Sequence, residues 1–325
     1  MQRTIGQTAV VAALRQGGKH EGMTQQRIGI IGAGLMGHGI AQAFAVAGHP
    51  VDIHEPDPGR RAGIVERVRG NLHGLGMDTA AADRVQPCES LEDAVGRADV
   101  VIEAVPEDLT LKQRVFLAVE AAAPRHALLA SNTSVIPITR IMEPLRDKSR
   151  ALGTHWWNPP YQIPLVEVIQ TADTDDAAVA AMIGLLAAVG KTPVHVRKDV
   201  PGFIGNRLQH ALWREAIALV QNGVCDAETV DAVVKASFGR RLAVLGPLEN
   251  ADLVGTDLTL AVHEHVLPDL DRTPEPLPLL RDLVASGRLG MKSGAGFRTW
   301  TEAQRTETHA RLAAHLQRLD GVERG

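Results

Sequence analysis

Cysteine is nearly missing from this chain. Two occur in 325 residues, Cys88 and Cys225, and neither sits in a C-x-x-C. That argues against a disulfide scaffold and against a thiolate metal site, and it fits a reducing, cytoplasmic setting. No metal is expected. Excess charge of one sign is missing too. A formal net charge of −4 gives no reason to expect nucleic acid or an anionic membrane as partner. No apolar run approaches the roughly 20 residues needed to span a bilayer. Internal repeats and low-complexity arrays are also lacking.

What remains is a chain of ordinary globular composition, 45% hydrophobic, whose length suggests two domains. Residues 1–24 read as an N-terminal extension. Their apolar stretch, Ala9–Leu14, is too short for a signal-peptide core, and Met23 opens M-T-Q-Q-R-I-G-I-I-G as a natural start would.

From residue 25 to 200 strand and helix signals alternate. Arg27–Gly32 is a continuous apolar run leading into glycines, as a strand buried on both faces should look. A small-residue helix (Gly37–Ala47) and a second strand (Val51–His54) close a βαβ unit. A helix over Asp57–Leu75, strands at Asp99–Val105 and Ala127–Ser131 and a helix at Leu111–Ala122 continue the pattern. The expected fold class is α/β, a doubly wound parallel sheet. Two short strands, Arg150–His155 and Leu165–Ile169, flank a Pro-rich loop and suggest an antiparallel extension, followed by a helix (Asp175–Val189) and a strand (Thr192–Val196). Pro201 marks a boundary. Residues 201–325 carry helical signals, at Gly202–Gln221, Asp226–Phe238 and Pro247–Val266, and read as an all-α C-terminal domain.

Gly32, Gly34 and Gly37 form G-x-G-x-x-G directly after a strand and opening a helix. The first glycine permits the tight turn, the second lets backbone approach a pyrophosphate, and the third lets helix and strand pack closely. The N–H groups of the first turn, which includes Leu35 and Met36, then hold the phosphate. Glu55, at the end of the second strand, accepts from a ribose 2′-hydroxyl and repels a 2′-phosphate, so the cofactor is expected to be NAD. Arg60 and Arg61 read as a solvated helix face.

Glu167 lies in P-L-V-E-V-I, where alternation puts it among apolar residues. An unpaired carboxylate there is costly to bury. His155, on the neighbouring strand, resolves the problem, and the pair reads either as a base with its orienter or as a structural ion pair. S-N-T-S at Ser131–Ser134 follows a strand, where open α/β sheets bind ligands. Ser134 there either caps the turn or donates to a substrate oxygen. Asn206 lies in the first turn of a helix.

These strings together resemble the 3-hydroxyacyl-CoA dehydrogenase superfamily, from Gln26 to about Phe297. The matching segments are G-A-G-L-M-G-H-G-I-A, V-I-E-A-V-P-E-D-L-T-L-K, S-N-T-S, H-W-W-N-P-P, P-L-V-E-V-I, D-V-P-G-F-I-G-N-R, G-P-L-E-N-A-D-L-V-G and L-G-M-K-S-G-A-G-F. The resemblance implies a Rossmann-type domain and a helical dimerisation domain. It makes His155 the general base, Glu167 its partner, and Ser134 and Asn206 the holders of the substrate oxygen. Glu107 and Lys112 match positions near the nicotinamide-side ribose, and Asn132 and Asn158 are placed with the cofactor. The implied reaction is oxidation of a secondary alcohol with NAD, in a homodimer.

Two departures bear on the substrate. CoA-using members carry a long, lysine-rich helical hairpin after the second strand, whereas Arg60–Val85 is short and lacks lysine. Phe238–Pro247, F-G-R-R-L-A-V-L-G-P, is longer than the G-x-P-M-G-P of acyl-CoA enzymes and is more similar to gulonate and carnitine dehydrogenases. Arg240 or Arg241 there is a candidate clamp for a substrate carboxylate. The expected substrate is therefore a small 3-hydroxy acid. The alternatives are a short-chain hydroxyacyl-CoA thioester and a crystallin-like structural role.

Overall fold

The strands Ile28–Ile31 and Val100–Glu103 are only four residues long and buried on both faces, which is why the sequence reads there as apolar runs rather than as alternation. The computed structural model describes residues 25–323. The extension expected over residues 1–24 lies outside them.

In chain order the first part contains β1 (Ile28–Ile31), α1 (Leu35–Val46), β2 (Val51–His54), α2 (Pro58–Ala62), α3 (Ile64–Gly74) and β3 (Val85–Cys88). It continues with α4 (Leu91–Val95), β4 (Val100–Glu103), α5 (Leu109–Ala122), β5 (Leu128–Ser131), α6 (Ile138–Ile141) and β6 (Ala151–Trp156). It ends with β7 (Leu165–Ile169), α7 (Asp176–Ala188) and β8 (Thr192–Val196). The eight strands make one sheet in the order β3-β2-β1-β4-β5-β6-β7-β8. Neighbours are parallel except β6 and β7, which run antiparallel as expected.

The strand order reverses between β1 and β4, the position where open sheets leave a crevice at their carboxyl ends. Two apolar layers cover the faces. Ile28, Ile30, Val100 and Ile102 pack with α1, α3 and α7 on one side. Ile31, Val101 and Leu129 pack with α4, α5 and α6 on the other. This is a Rossmann-type arrangement, doubly wound.

Three expectations need correction. The helix expected over Asp57–Leu75 is broken at Gly63 into α2 and α3. β3 was not foreseen, because Pro87 disguises it; as an edge strand it tolerates a residue without an N–H. The helix expected over Pro247–Val266 is two helices, divided at Gly255, whose φ of 101° no helix continues.

The described residues form two compact units, residues 25–204 with 314–323, and residues 205–313. The second contains α8 (Gly205–Gln221), α9 (Ala227–Ala236), α10 (Pro247–Val254), α11 (Thr256–Val266), α12 (Pro278–Ala285) and the beginning of α13 (Glu302–Glu323). Many of its large apolar side chains are exposed, among them Leu208, Trp213, Leu248, Leu253 and Leu258.

Candidate active site

The carboxyl end of β1 leads into the glycine loop. Gly32 has φ +96°, and a Cβ on it would lie 2.8 Å from the Ala104 carbonyl oxygen at the exit of β4. A Cβ on Gly37 would lie 1.8 Å from the Gly32 carbonyl, so helix and strand meet more closely than any side chain allows. Gly34, the N-cap of α1, is the opposite case. Nothing lies within 4 Å of its missing Cβ, and that open cradle beside the N–H groups of Leu35 and Met36 fits a pyrophosphate.

Glu55 is buried and bound to this loop. Its Oε2 accepts from the Ala33 N–H at 3.2 Å and its Oε1 from the Asp57 N–H at 3.3 Å. The reading of Arg60 and Arg61 as a solvated face holds for Arg60, which is exposed. It fails for Arg61, whose Nη1 donates to the Glu55 and Pro56 carbonyls at 2.9 and 3.3 Å.

A second cluster joins β4, α5 and the S-N-T-S turn. Lys112 and Glu103 form an ion pair at 2.8 Å, both side chains 0% exposed. Glu103 also accepts from the Ser131 hydroxyl at 2.6 Å and the Val105 N–H at 2.7 Å. Burial pushes the Glu103 carboxyl up, against the opposing pull of Lys112 and of these donors. Lys112 lies 3.4 Å from Glu107 as well. Glu107 in turn accepts from the Thr133 hydroxyl and from the N–H groups of Ser134 and Val135 at 3.1 and 3.2 Å. Burial works to raise its pKa, but the Thr133 hydroxyl, the Lys112 charge and the two N–H donors outweigh it, and the Glu107 carboxyl ends below its usual range. Glu107 thereby fixes the turn that carries the exposed Ser134. Asn132 is buried, with its Oδ1 accepting from the Trp156 N–H at 3.1 Å, which ties β5 to the end of β6.

The third cluster is the pair foreseen from alternation. His155 and Glu167 are directly opposite in the β6–β7 register. His155 Nδ1 lies 2.7 Å from Glu167 Oε2, with the side chains 4% and 2% exposed. A carboxylate only accepts, so Nδ1 carries the proton and Nε2 is the atom left for other partners. Glu167 Oε1 accepts from the Ile204 N–H at 2.9 Å. The His155 ring also contacts Trp157 and Phe203, with centroids 5.1 and 5.5 Å away. Asn158, exposed, follows Trp157.

Phe203 was missed by sequence reasoning. It is buried and has φ +51°, an unusual conformation for an aromatic residue, next to Gly202 at φ +75°. The signal was present in P-G-F-I, where a glycine turn precedes an aromatic residue. Glu103 and Thr133 were also missed as supports of Lys112 and Glu107. Asn206, Arg240 and Arg241 belong to the second unit. Both arginines are exposed there. Among the described residues no group of three His, Cys, Asp or Glu side chains is arranged to hold a metal ion.

A dinucleotide loop, a carboxylate at its second strand and a paired histidine at the sheet's carboxyl edge define an NAD-dependent dehydrogenase of the class acting on CH–OH groups. The chain belongs to the 3-hydroxyacyl-CoA dehydrogenase family, whose NAD-binding domain matches residues 27–200 and whose C-terminal domain matches residues 202–300. It is 35% identical to 5-formyl-3-hydroxy-2-methylpyridine 4-carboxylate 5-dehydrogenase of Mesorhizobium japonicum, over 92% of this chain and 97% of that one. It is 36% identical to L-carnitine dehydrogenase of Streptomyces griseus, covering 81% of this chain and 82% of the relative. A crystal structure of the pyridine carboxylate 5-dehydrogenase, described as an NAD+-dependent dismutase, superposes with a TM-score of 0.84 at 33% identity, covering 93% and 99% of the two chains. The (S)-3-hydroxybutyryl-CoA dehydrogenase PaaH1 of Ralstonia eutropha superposes at 0.72 with 34% identity, covering 86% and 100%.

Two outcomes are expected from this geometry. Gly34→Ala should leave stability nearly unchanged in chemical denaturation yet weaken NAD binding measured by calorimetry, whereas Gly37→Ala should weaken NAD binding and also cost about 1–3 kcal/mol of stability through overpacking. Lys112→Met should cost about 3–5 kcal/mol by leaving the Glu103 carboxylate buried without its partner, and adding Glu103→Gln should restore a large part of that loss in the same denaturation measurement.

Proposed function

We propose that the chain oxidises the hydroxyl of a small free hydroxy carboxylate, with His155 as general base. The observation that carries the chemistry is the buried His155–Glu167 hydrogen bond. Glu167 fixes the Nδ1–H tautomer, so Nε2 takes the hydroxyl proton, and the carboxylate stabilises the imidazolium that forms. Ser134 and Asn206 hold the substrate oxygen in this reading. Gly32, Gly34, Leu35, Met36 and Gly37 hold the pyrophosphate, Glu55 the adenosine ribose, and Glu107, Asn132 and Asn158 the nicotinamide side, with the fully buried Lys112 acting through Glu107. NAD, when bound, accepts the hydride. The retention of all these groups together argues against a purely structural, crystallin-like role.

Free acids are favoured over CoA thioesters on two grounds. The fit to the pyridine carboxylate enzyme is better than that to the hydroxybutyryl-CoA enzyme, 0.84 against 0.72. The stretch where CoA-using members carry lysines has none, and its Arg61 and Arg69 lie within ion-pair distance of carboxylates. The same likeness favours a second reading. A hydrated aldehyde presents the same H–C–OH group, so His155 can deprotonate the gem-diol of an aromatic aldehyde that bears a carboxylate. The exposed apolar side chains of the helical unit support a homodimer formed through that unit. The scarcity of cysteine supports a cytoplasmic location.

His155→Gln is expected to lower turnover by about 10²–10⁴ with NAD affinity nearly intact, and Glu167→Gln to lower it less, because the imidazole survives with poorer orientation. Turnover within a few-fold of wild type, with chemistry shown to limit the rate, would sink the assignment of His155. A spectrophotometric panel of matched free acids, aldehyde carboxylates and CoA thioesters tests the substrate: NADH formation confined to thioesters would overturn the free-carboxylate reading and leave the His155 mechanism standing.

A further inference from the structure

We propose that Arg67 is a second determinant of cofactor choice, a guanidinium that receives a 2′-phosphate once the charge of Glu55 is removed. The inference rests on the reading of Glu55 as the carboxylate at the adenosine ribose. Arg67 lies in the first turn of α3, and its Nη2 donates to the Ala33 carbonyl at 3.4 Å and to the Arg60 carbonyl at 3.1 Å. Ala33 stands between the first two glycines of the loop, and its own N–H donates to Glu55. One loop residue is therefore held from two sides, by a carboxylate at its N–H and a guanidinium at its C=O. A ribose hydroxyl bonded to Glu55 would stand next to the Ala33 segment that Arg67 also contacts.

Of the other arginines on α2 and α3, Arg61 is paired with Glu89 and Arg69 with Glu66 and Asp83, whereas Arg60 is exposed and gives the loop only its backbone carbonyl, through Arg67. Among the described residues Arg67 has no carboxylate within 4.0 Å, and the two carbonyls that its Nη2 meets do not neutralise its charge. That charge is felt at the loop. His38, one turn into α1 and bonded to the Gly34 carbonyl at 2.6 Å, has its pKa lowered by burial and further by Arg67. With Glu55 present, a 2′-phosphate meets a like charge and is rejected; with Glu55 neutral, the same phosphate meets an unpaired guanidinium whose fork matches its oxygens.

Calorimetric affinities of 2′,5′-ADP and 5′-ADP for wild type, Glu55→Ser, Arg67→Met and the double variant test this, with NADP turnover alongside. Glu55→Ser should raise the affinity for 2′,5′-ADP relative to 5′-ADP, and adding Arg67→Met should remove about tenfold or more of that preference. Arg67→Lys in place of Met should restore part of it. The methionine keeps the apolar stem, and an unchanged thermal midpoint shows that the loss of the Arg60 contact has not unfolded the corner. Equal preference in Glu55→Ser and the double variant overturns the role of Arg67 and leaves that of Glu55. If Glu55→Ser gains nothing, the reading of Glu55 fails. Arg67 then stands only if Arg67→Met lowers the 2′,5′-ADP preference in the wild-type background, and falls otherwise.

Discussion

Glu167 is a carboxylate almost wholly withdrawn from water in the middle of an apolar strand, and the candidate active site is organised around what compensates it. Burying a lone charge of this kind costs several kcal/mol, so such a position persists only with donors at its oxygens. The chain supplies His155 from the adjacent strand and the Ile204 N–H from the turn that ends the first unit. Each donor imposes a structural condition. His155 faces Glu167 because β7 runs antiparallel to β6 with those two residues in register, in a sheet otherwise parallel. Ile204 reaches Oε1 because Gly202 and Phe203 both take positive φ, a conformation of about 1–3 kcal/mol strain for a residue like Phe203 that its burial beside the imidazole offsets.

The same logic recurs at the neighbouring strand ends. Glu103 at the end of β4 is as deeply buried, and Lys112, Ser131 and Val105 answer it. Its partner Lys112 also reaches Glu107, and Glu107 holds the turn bearing Ser134. Stability and site geometry are therefore carried by the same groups. A residue such as Lys112 cannot be assigned to cofactor or to core alone: its ammonium is fully buried yet stands one side chain away from the S-N-T-S turn.

Much of this was legible in the sequence where the physics is local. The glycine loop declared itself through spacing and context, and strict alternation in P-L-V-E-V-I exposed Glu167 as a carboxylate needing a partner, from which His155 followed. What was hidden depended on tertiary context. β3 is masked by Pro87, which only an edge position permits, and the divisions at Gly63 and Gly255 fall inside otherwise continuous helical patterns. Phe203 gave no periodic signal because its role depends on a backbone conformation rather than a face. In the sequence Arg67 is one more arginine near Arg69; its contact with Ala33 and the acidic partners of Arg69 separate the two.

The reaction centre and the substrate handle are separable in this architecture, and that limits what family membership carries. In the proposed reading, abstraction by His155 requires only an H–C–OH group near Nε2, which a hydroxy acid, a hydroxyacyl thioester and a hydrated aldehyde all present. None of the groups that hold the imidazole in place, Glu167, Ile204 and Phe203, has chemistry that distinguishes a carboxylate from a thioester at the far end of the substrate. Discrimination has to come from charge placed away from the dyad. In the proposed reading the lysine-free corner built from α2 and α3 offers little to a CoA handle: Arg61 and Arg69 have acidic partners, Arg67 is turned to the cofactor loop, and among the described residues only the exposed Arg60 beside them also lacks a carboxylate within 4.0 Å. A relative can thus keep His155, Glu167 and the glycine loop unchanged and alter its substrate through a few charges at a corner the reacting atoms never touch.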